Sequence, residues 1–195
     1  MENCTWKSTT KQIYTGVMLY SLCGIVSGLV AILAFLSGGF WSVLSVILSI
    51  AIIVGYVLYF IGLRNFKNVV MEPDAPVVNK LYTAVILVII GYIVGFIPVA
   101  GGIIQAILNI IAFIMMMVAY NKLRKSTTFP GLARKGASML FTAMILSLIG
   151  AVISIIPLVG TIIAAILNII SFIMVLLGWK KIADDDLASS TPAVE

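Results

Sequence analysis

A stretch of 45 residues that occurs twice limits this chain more than any other feature. The segment 81–125 returns at 140–184, and 22 of the 45 aligned positions are identical. In both copies an apolar run reaches Ile-Pro (Ile97-Pro98, Ile156-Pro157) and meets a glycine three residues later (Gly101, Gly160). It then resumes as Ala-Ile-Leu-Asn-Ile-Ile, from Ala106 and from Ala165. Shared proline, glycine and asparagine, not only abundant isoleucine, mark a true internal repeat. Each copy is a helical hairpin, because proline removes a backbone donor, restricts the residue before it, and is followed by a glycine that frees the turn.

A diverged third copy precedes these two. Tyr14-Thr15-Gly16-Val17-Met18-Leu19 parallels Tyr82 to Leu87 and Phe141 to Leu146, and the exit Gly62-Leu63-Arg64 parallels Gly178-Trp179-Lys180. Its two uncharged runs, Ile13 to Phe35 and Phe40 to Leu63, flank Ser37-Gly38-Gly39. Each has about the 20 residues that cross a hydrocarbon core of about 30 Å.

The solvent for most of this chain is lipid. Apolar residues make up 62% of the sequence and mean hydropathy is +1.21, far above the roughly 45–50% apolar content of soluble domains. The expected fold class is an all-α integral membrane protein with six transmembrane helices in three parallel helical-hairpin repeats. The expected organisation is an N-terminal arm (1–12), hairpin one (13–63), a linker (64–80), hairpin two (81–121), a basic loop (122–138), hairpin three (139–181) and an acidic, disordered tail (182–195). Pro73 and Pro76 argue against a helix running through the linker. The first run is too long for a cleaved signal, and Leu22 before Cys23 suits cleavage poorly, so we expect an anchor that stays. Cys4 and Cys23 differ too much in depth to suggest a disulfide, and Cys23 reads as packing.

All twelve Lys and Arg residues lie in the termini and in the segments after the second and fourth runs, and none lies at the three tight turns. The positive-inside rule then puts both termini and both long segments in the cytoplasm. Tyr14, Tyr82, Phe141, Tyr120 and Trp179 on that side, and Phe40, Trp41 and Phe96 near the turns, read as interfacial anchors. Hairpins dipping into one leaflet would share the charge pattern, but would leave turn backbone unsatisfied in hydrocarbon. The Ile-Pro-x-x-Gly hairpins resemble those of many small prokaryotic membrane proteins, so the expected location is a prokaryotic inner membrane. Three units entering from one side are parallel repeats, a different parity from the inverted repeats of many coupled transporters.

The membrane runs contain no ionisable Asp, Glu, Lys, Arg or His, and the chain has no histidine. Proton relays, metal sites and most acid–base chemistry need such groups held together, so neither an enzyme nor a cofactor is expected. Glu72, Asp74 and Asp184 to Asp186 read as solvated charge. The candidate intramembrane sites are Asn109 and Asn168, at equivalent positions, with Gln105 one turn from Asn109. They are either interhelical hydrogen bonds or the lining of a path for a neutral solute or ion. Gly24 and Gly28, Gly91 and Gly95, and Gly150 and Ser154 are candidate packing faces at four-residue spacing. Pro98, Gly101, Pro157 and Gly160 are the turn residues. Lys122, Arg124, Lys125, Arg134 and Lys135 suit anionic lipid headgroups or a partner's acidic surface, and topology alone also explains them. Nucleic acid is not supported, since the aromatics near these charges sit at helix ends.

Two roles remain: an accessory or scaffold subunit holding another membrane protein or a homo-oligomer in the bilayer, or a passive facilitator lined by the amides.

Overall fold

The computed structural model describes residues 5–37, 40–95, 97–98 and 100–185, without the side chains at 28–29, 31–37 and 42. Six helices make up this part of the chain: α1 (Trp6–Ser37), α2 (Phe40–Val69), α3 (Ala75–Gly95), α4 (Gly101–Leu123), α5 (Gly131–Ile153) and α6 (Val159–Ala183). Five helical segments among the described residues are long and apolar enough to cross a membrane: Val43–Val69 and the whole of α3, α4, α5 and α6. Only 11–28% of the most apolar window of each is buried, so most of their surface faces outward.

The helices pair as hairpins, α1 with α2, α3 with α4 and α5 with α6. Further contacts of α2 with α3, α4 with α5 and α6 with α1 close the three hairpins into a ring. Two of the tight turns have the same construction. The amide of Ala100 donates to Pro98 O and that of Val159 to Pro157 O, each at 2.8 Å. A Cβ on Gly101 would strike the carbonyl oxygen of Val94, and one on Gly160 that of Ile153. Both glycines are buried, so the returning helix lies directly on the backbone of the departing one. At the third hairpin the turn also holds Leu158 at φ 62° and ψ −75°, the strained central position of a γ-turn closed by the Val159 amide, which costs a bulky residue roughly 1–3 kcal/mol. In the first hairpin Gly38 and Gly39 lie outside the described residues.

Helix continues well past the apolar runs at the end that carries the charges. The expected polar arm is the first turns of α1, with Trp6 buried and its Nε1 donating to Ile182 O at 3.2 Å. The linker is helical up to Val69 and again from Ala75, and the basic loop is helical from Gly131. Phe66, Val70, Val78, Phe129, Ala133 and Ile182, all in or beside these charged stretches, are buried in the main core. The proline-containing break survives as the short interval between α2 and α3.

An aromatic cluster fills that core. Trp6 lies 5.1 Å from Phe66 and 5.7 Å from Phe129, and Trp179 lies 6.1 Å from Tyr59 and 6.3 Å from Phe66, centroid to centroid. Tyr120 and Trp179, expected as interfacial anchors, are therefore core residues. Their rings turn inward because the helix continues beyond them and carries the interface further along the chain. Tyr82 and Phe141 remain half-buried and receive Lys67 at 5.0 Å and Arg124 at 3.8 Å from their ring centroids. Phe40 is exposed at the turn end, while Phe96 lies outside the described residues.

Two acidic residues differ from the solvated reading. Asp74 is buried, and its Oδ2 accepts from Ser126 Oγ at 2.9 Å and Thr128 Oγ1 at 2.7 Å. Asp185 is also buried, and its Oδ2 accepts from the amide of Ala133 at 2.6 Å. That amide belongs to the first turn of α5, where donors lack intrahelical partners and the helix dipole favours negative charge. Asp74 joins the start of hairpin two to the segment after it, and Asp185 joins the end of hairpin three to its beginning. Residues 186–195, including Asp186 and most of the expected tail, lie outside the described residues.

Candidate functional site

The small residues divide into those that bring helices together and those that do not. A Cβ on Gly16 would lie 2.5 Å from Tyr59 N and 2.8 Å from Gly55 O. One on Gly136 would strike Gly178 O, and one on Gly62 would lie 2.6 Å from Ile13 Cγ1. These are the close backbone approaches of hairpins one and three. Gly91 and Gly150 make ordinary contacts, with nearest atoms at 3.5 Å and 3.6 Å from such a Cβ. Gly24 has no atom within 4 Å, and Gly28 lies among residues whose side positions are not described. Ser154 is exposed and donates to Ala151 O in its own helix at 2.7 Å. Gly62 and Gly178 were visible as matching exit residues, but their spacing gave no hint of the partner each would meet.

The amides follow the repeat. Asn109 Oδ1 is 3.5 Å from the Cβ position of Gly91, and Asn168 Oδ1 is 3.7 Å from that of Gly150. Each asparagine therefore sits over the glycine of the other helix in its own hairpin. Asn109 Oδ1 is buried and unpartnered, whereas Asn168 is exposed on the flank of α6. Gln105 Oε1 occupies the space where a Cβ on Gly95 would go. The three amides do not converge on one point, because each faces its own hairpin partner.

Near the axis of the ring there is a small cavity of about 160 Å³ lined by Tyr20, Tyr56, Tyr59, Val85, Val88 and Met116. Tyr20 and Val88 occupy corresponding repeat positions, as do Tyr59 and Met116, and equivalent residues from different hairpins meet where a rotational arrangement has its axis. Tyr20 and Tyr56 stack at 4.5 Å with their planes 11° apart. The sequence signal for this cavity was three of the first hairpin's four tyrosines, Tyr20, Tyr56 and Tyr59, the last two three residues apart on one helical face. On the charged side the aromatic cluster of Trp6, Phe66, Phe129 and Trp179 closes the bundle.

A second, larger opening lies between hairpins two and three. This groove has a volume of about 440 Å³ and runs along Asn109, Ile110, Phe113, Ile114 and Met117 of α4, with Ser147, Leu148 and Ala151 of α5 opposite. It opens sideways, toward the surroundings of the helices.

The basic residues also divide. Arg124 Nε donates to Asn121 Oδ1 at 2.9 Å while its guanidinium covers Phe141, and Arg134 Nη1 donates to Ser126 O at 3.3 Å. Lys122, Lys125 and Lys135 are exposed. The two arginines thus serve the fold, and the three lysines form the outward charge. Among the described residues no group of three or more metal-ligating side chains comes together. No family model, no curated protein and no solved structure matches this chain.

Proposed function

We propose that the chain spans the membrane six times, with both termini and both charged segments in the cytoplasm. In this reading it is a non-enzymatic accessory or scaffold subunit of a prokaryotic inner membrane. One observation carries it: the axis is closed on the charged side by tightly packed aromatics, while the flanks of the hairpins are apolar and open. Such a molecule meets other components sideways, through lipid-facing helices, and through Lys122, Lys125 and Lys135 at the headgroup level. Helix length supports spanning over insertion into one leaflet: α3, the shortest, has 21 residues, or about 31 Å.

The test is purification in mild detergent from native membranes, with mass determination and identification of every co-purifying chain. A reproducible partner or a defined homo-oligomer supports the reading; a lone monomer sinks it. Sidedness is tested by labelling Leu158→Cys from the outside, because Leu158 is 82% exposed at the turn whereas Gly101 and Gly160 are buried.

The tyrosine-lined cavity favours one second reading, a passive facilitator for a small neutral solute or ion. Its path would require the aromatic cluster to part. Unchanged flux in a Tyr56→Phe variant of unaltered stability would remove it, since Tyr56 lines the cavity whereas Asn168 is exposed on the flank of α6.

A further inference from the structure

The cavity near the axis of the ring differs in its lining from the apolar flanks around it. Part of its wall is polar, and the phenolic oxygens of Tyr20, Tyr56 and Tyr59 are the only side-chain oxygens or nitrogens among its six lining residues. The three rings lie together: Tyr20 is stacked on Tyr56 at 4.5 Å, and the centroids of Tyr20 and Tyr59 are 6.0 Å apart.

Packing alone does not call for these hydroxyls. In the register set by the hairpin exits, Tyr56 corresponds to Phe113 and Phe172, Tyr59 to Met116 and Val175, and Tyr20 to Val88 and Ser147. Phenylalanine therefore meets the steric need at position 56 in both other copies, and the first hairpin alone adds a phenol there. Tyr59 stands five residues, about 7.5 Å, inside Arg64, and Tyr56 eight residues, about 12 Å. At that depth the surroundings are hydrocarbon, where a hydroxyl without a partner is costly. Each phenol can both donate and accept. Tyr20 has Ser21 as a polar neighbour and Tyr59 has Tyr120, whereas Tyr56 has no hydrogen-bond partner among the described residues.

The occupant must satisfy donors and acceptors at once, in a space of irregular shape. An acyl chain end would satisfy neither, and an ion would find no counter-charge among the lining residues. Water offers both functions, and about 160 Å³ is room for about five molecules at about 30 Å³ each. We propose that this cavity is a water site: a small cluster of water molecules held by the hydroxyls of Tyr20, Tyr56 and Tyr59 inside an otherwise dry bundle. The cluster is present whether or not the protein passes a solute, so it stands apart from both functional readings.

The experiment uses the full chain in lipid nanodiscs and hydroxyl radicals generated in place by microsecond X-ray pulses, which oxidise side chains that touch water. Methionine sulfoxide is read by mass spectrometry. Met115, Met116 and Met117 are consecutive, half-buried and within about 3 Å of one depth, yet of the three only Met116 lines the cavity. The expected result is oxidation of Met116 about tenfold faster than that of Met115 or Met117. Tyr56→Phe should slow Met116 about fivefold, the worth of one hydrogen bond to the cluster, and leave its neighbours unchanged. Val88→Phe, which fills the cavity, should bring Met116 to the rate of its neighbours. Equal rates for the three methionines in the unaltered chain, no change in Tyr56→Phe, or fast Met116 oxidation retained in Val88→Phe overturns the proposal. The comparison of the three methionines decides the matter even if Val88→Phe fails to fold, and slower Met116 oxidation with unchanged flux in Tyr56→Phe supports the water site while removing the facilitator.

Discussion

The charged end and the turn end of this molecule are built from the same hairpins and packed in opposite ways. At the charged end Ile13, Leu63, Phe66, Val78 and Ala133 have no exposure at all, and bulky side chains from all three hairpins meet. At the turn end Ile155, Leu158, Ile103 and Phe40 are 79%, 82%, 67% and 72% exposed. The difference follows from the solvent. Within hydrocarbon, lipid tails are as apolar as isoleucine, and burying one isoleucine against another gains little. Where the helices emerge toward water, apolar burial regains its usual value of about 25 cal/mol per Å². The core therefore forms where the charged segments are, and at the turn end of hairpins two and three the helices meet closely at Gly101 and Gly160.

The largest test of this contrast compares Trp179→Ala with Ile162→Ala. Trp179 is 1% exposed and touches Tyr59 and Phe66, so its removal should cost about 3–5 kcal/mol. Ile162 is 63% exposed at the turn end and its loss should stay within about 0.5 kcal/mol. Reversible unfolding in mixed micelles measures both; equal costs would break the comparison.

Next in size is a pair of glycines in α1. Gly16→Ala forces a Cβ against Tyr59 N and Gly55 O, and overpacking of this kind costs about 1–3 kcal/mol. Gly24→Ala meets nothing within 4 Å and should gain up to about 1 kcal/mol of helix propensity. The same unfolding assay reads opposite signs for the two, and a shared sign would mean that hairpin one is not held by close backbone approach.

Asp185→Ala sharpens the account of the charged end. It removes the acceptor of the Ala133 amide at the start of α5 and should cost about 1 kcal/mol, whereas exposed Asp184→Ala should be silent. Hydrogen exchange at Ala133 checks this locally: faster exchange is expected only in the first variant.

Much of the fold could be read from residues alone. The three hairpins, the turns at Pro98 and Pro157, and the equivalence of Asn109 with Asn168 follow from period and repeat, whereas the seating of each asparagine over a glycine of its hairpin partner does not. What could not be read was continuation of helix into charged stretches, because Lys, Arg and Asp there suggest solvent while every third or fourth residue, such as Phe66 and Val70 or Ala133 and Ala137, faces the core. Nor could the burial of Asp74 and Asp185 be read, since their partners lie 52 or more positions away. The groove depends on two hairpins separating, which no single repeat encodes. Small-residue spacing misled at Gly24 and Ser154 for a related reason: a four-residue interval marks a face without saying what stands opposite.

The finest comparison lies within the repeat itself. At the turn ends of hairpins two and three, Gly95 and Gln105 correspond to Ser154 and Ala164, so a small–large pair in one copy is a medium–small pair in the other. Gln105 Oε1 fills the space beside Gly95, which a serine Cβ would need. Gly95→Ser alone should therefore displace the glutamine and cost about 1–2 kcal/mol, and Gln105→Ala alone should leave a gap that lipid fills at little cost. Together they rebuild the pair of hairpin three, and the double variant should be more stable than the sum of the singles by about 0.5–1.5 kcal/mol. Strict additivity would mean that the turn end is so loosely joined that even within one hairpin its side chains do not sense each other. A positive coupling would place the looseness between hairpins alone, where the groove lies.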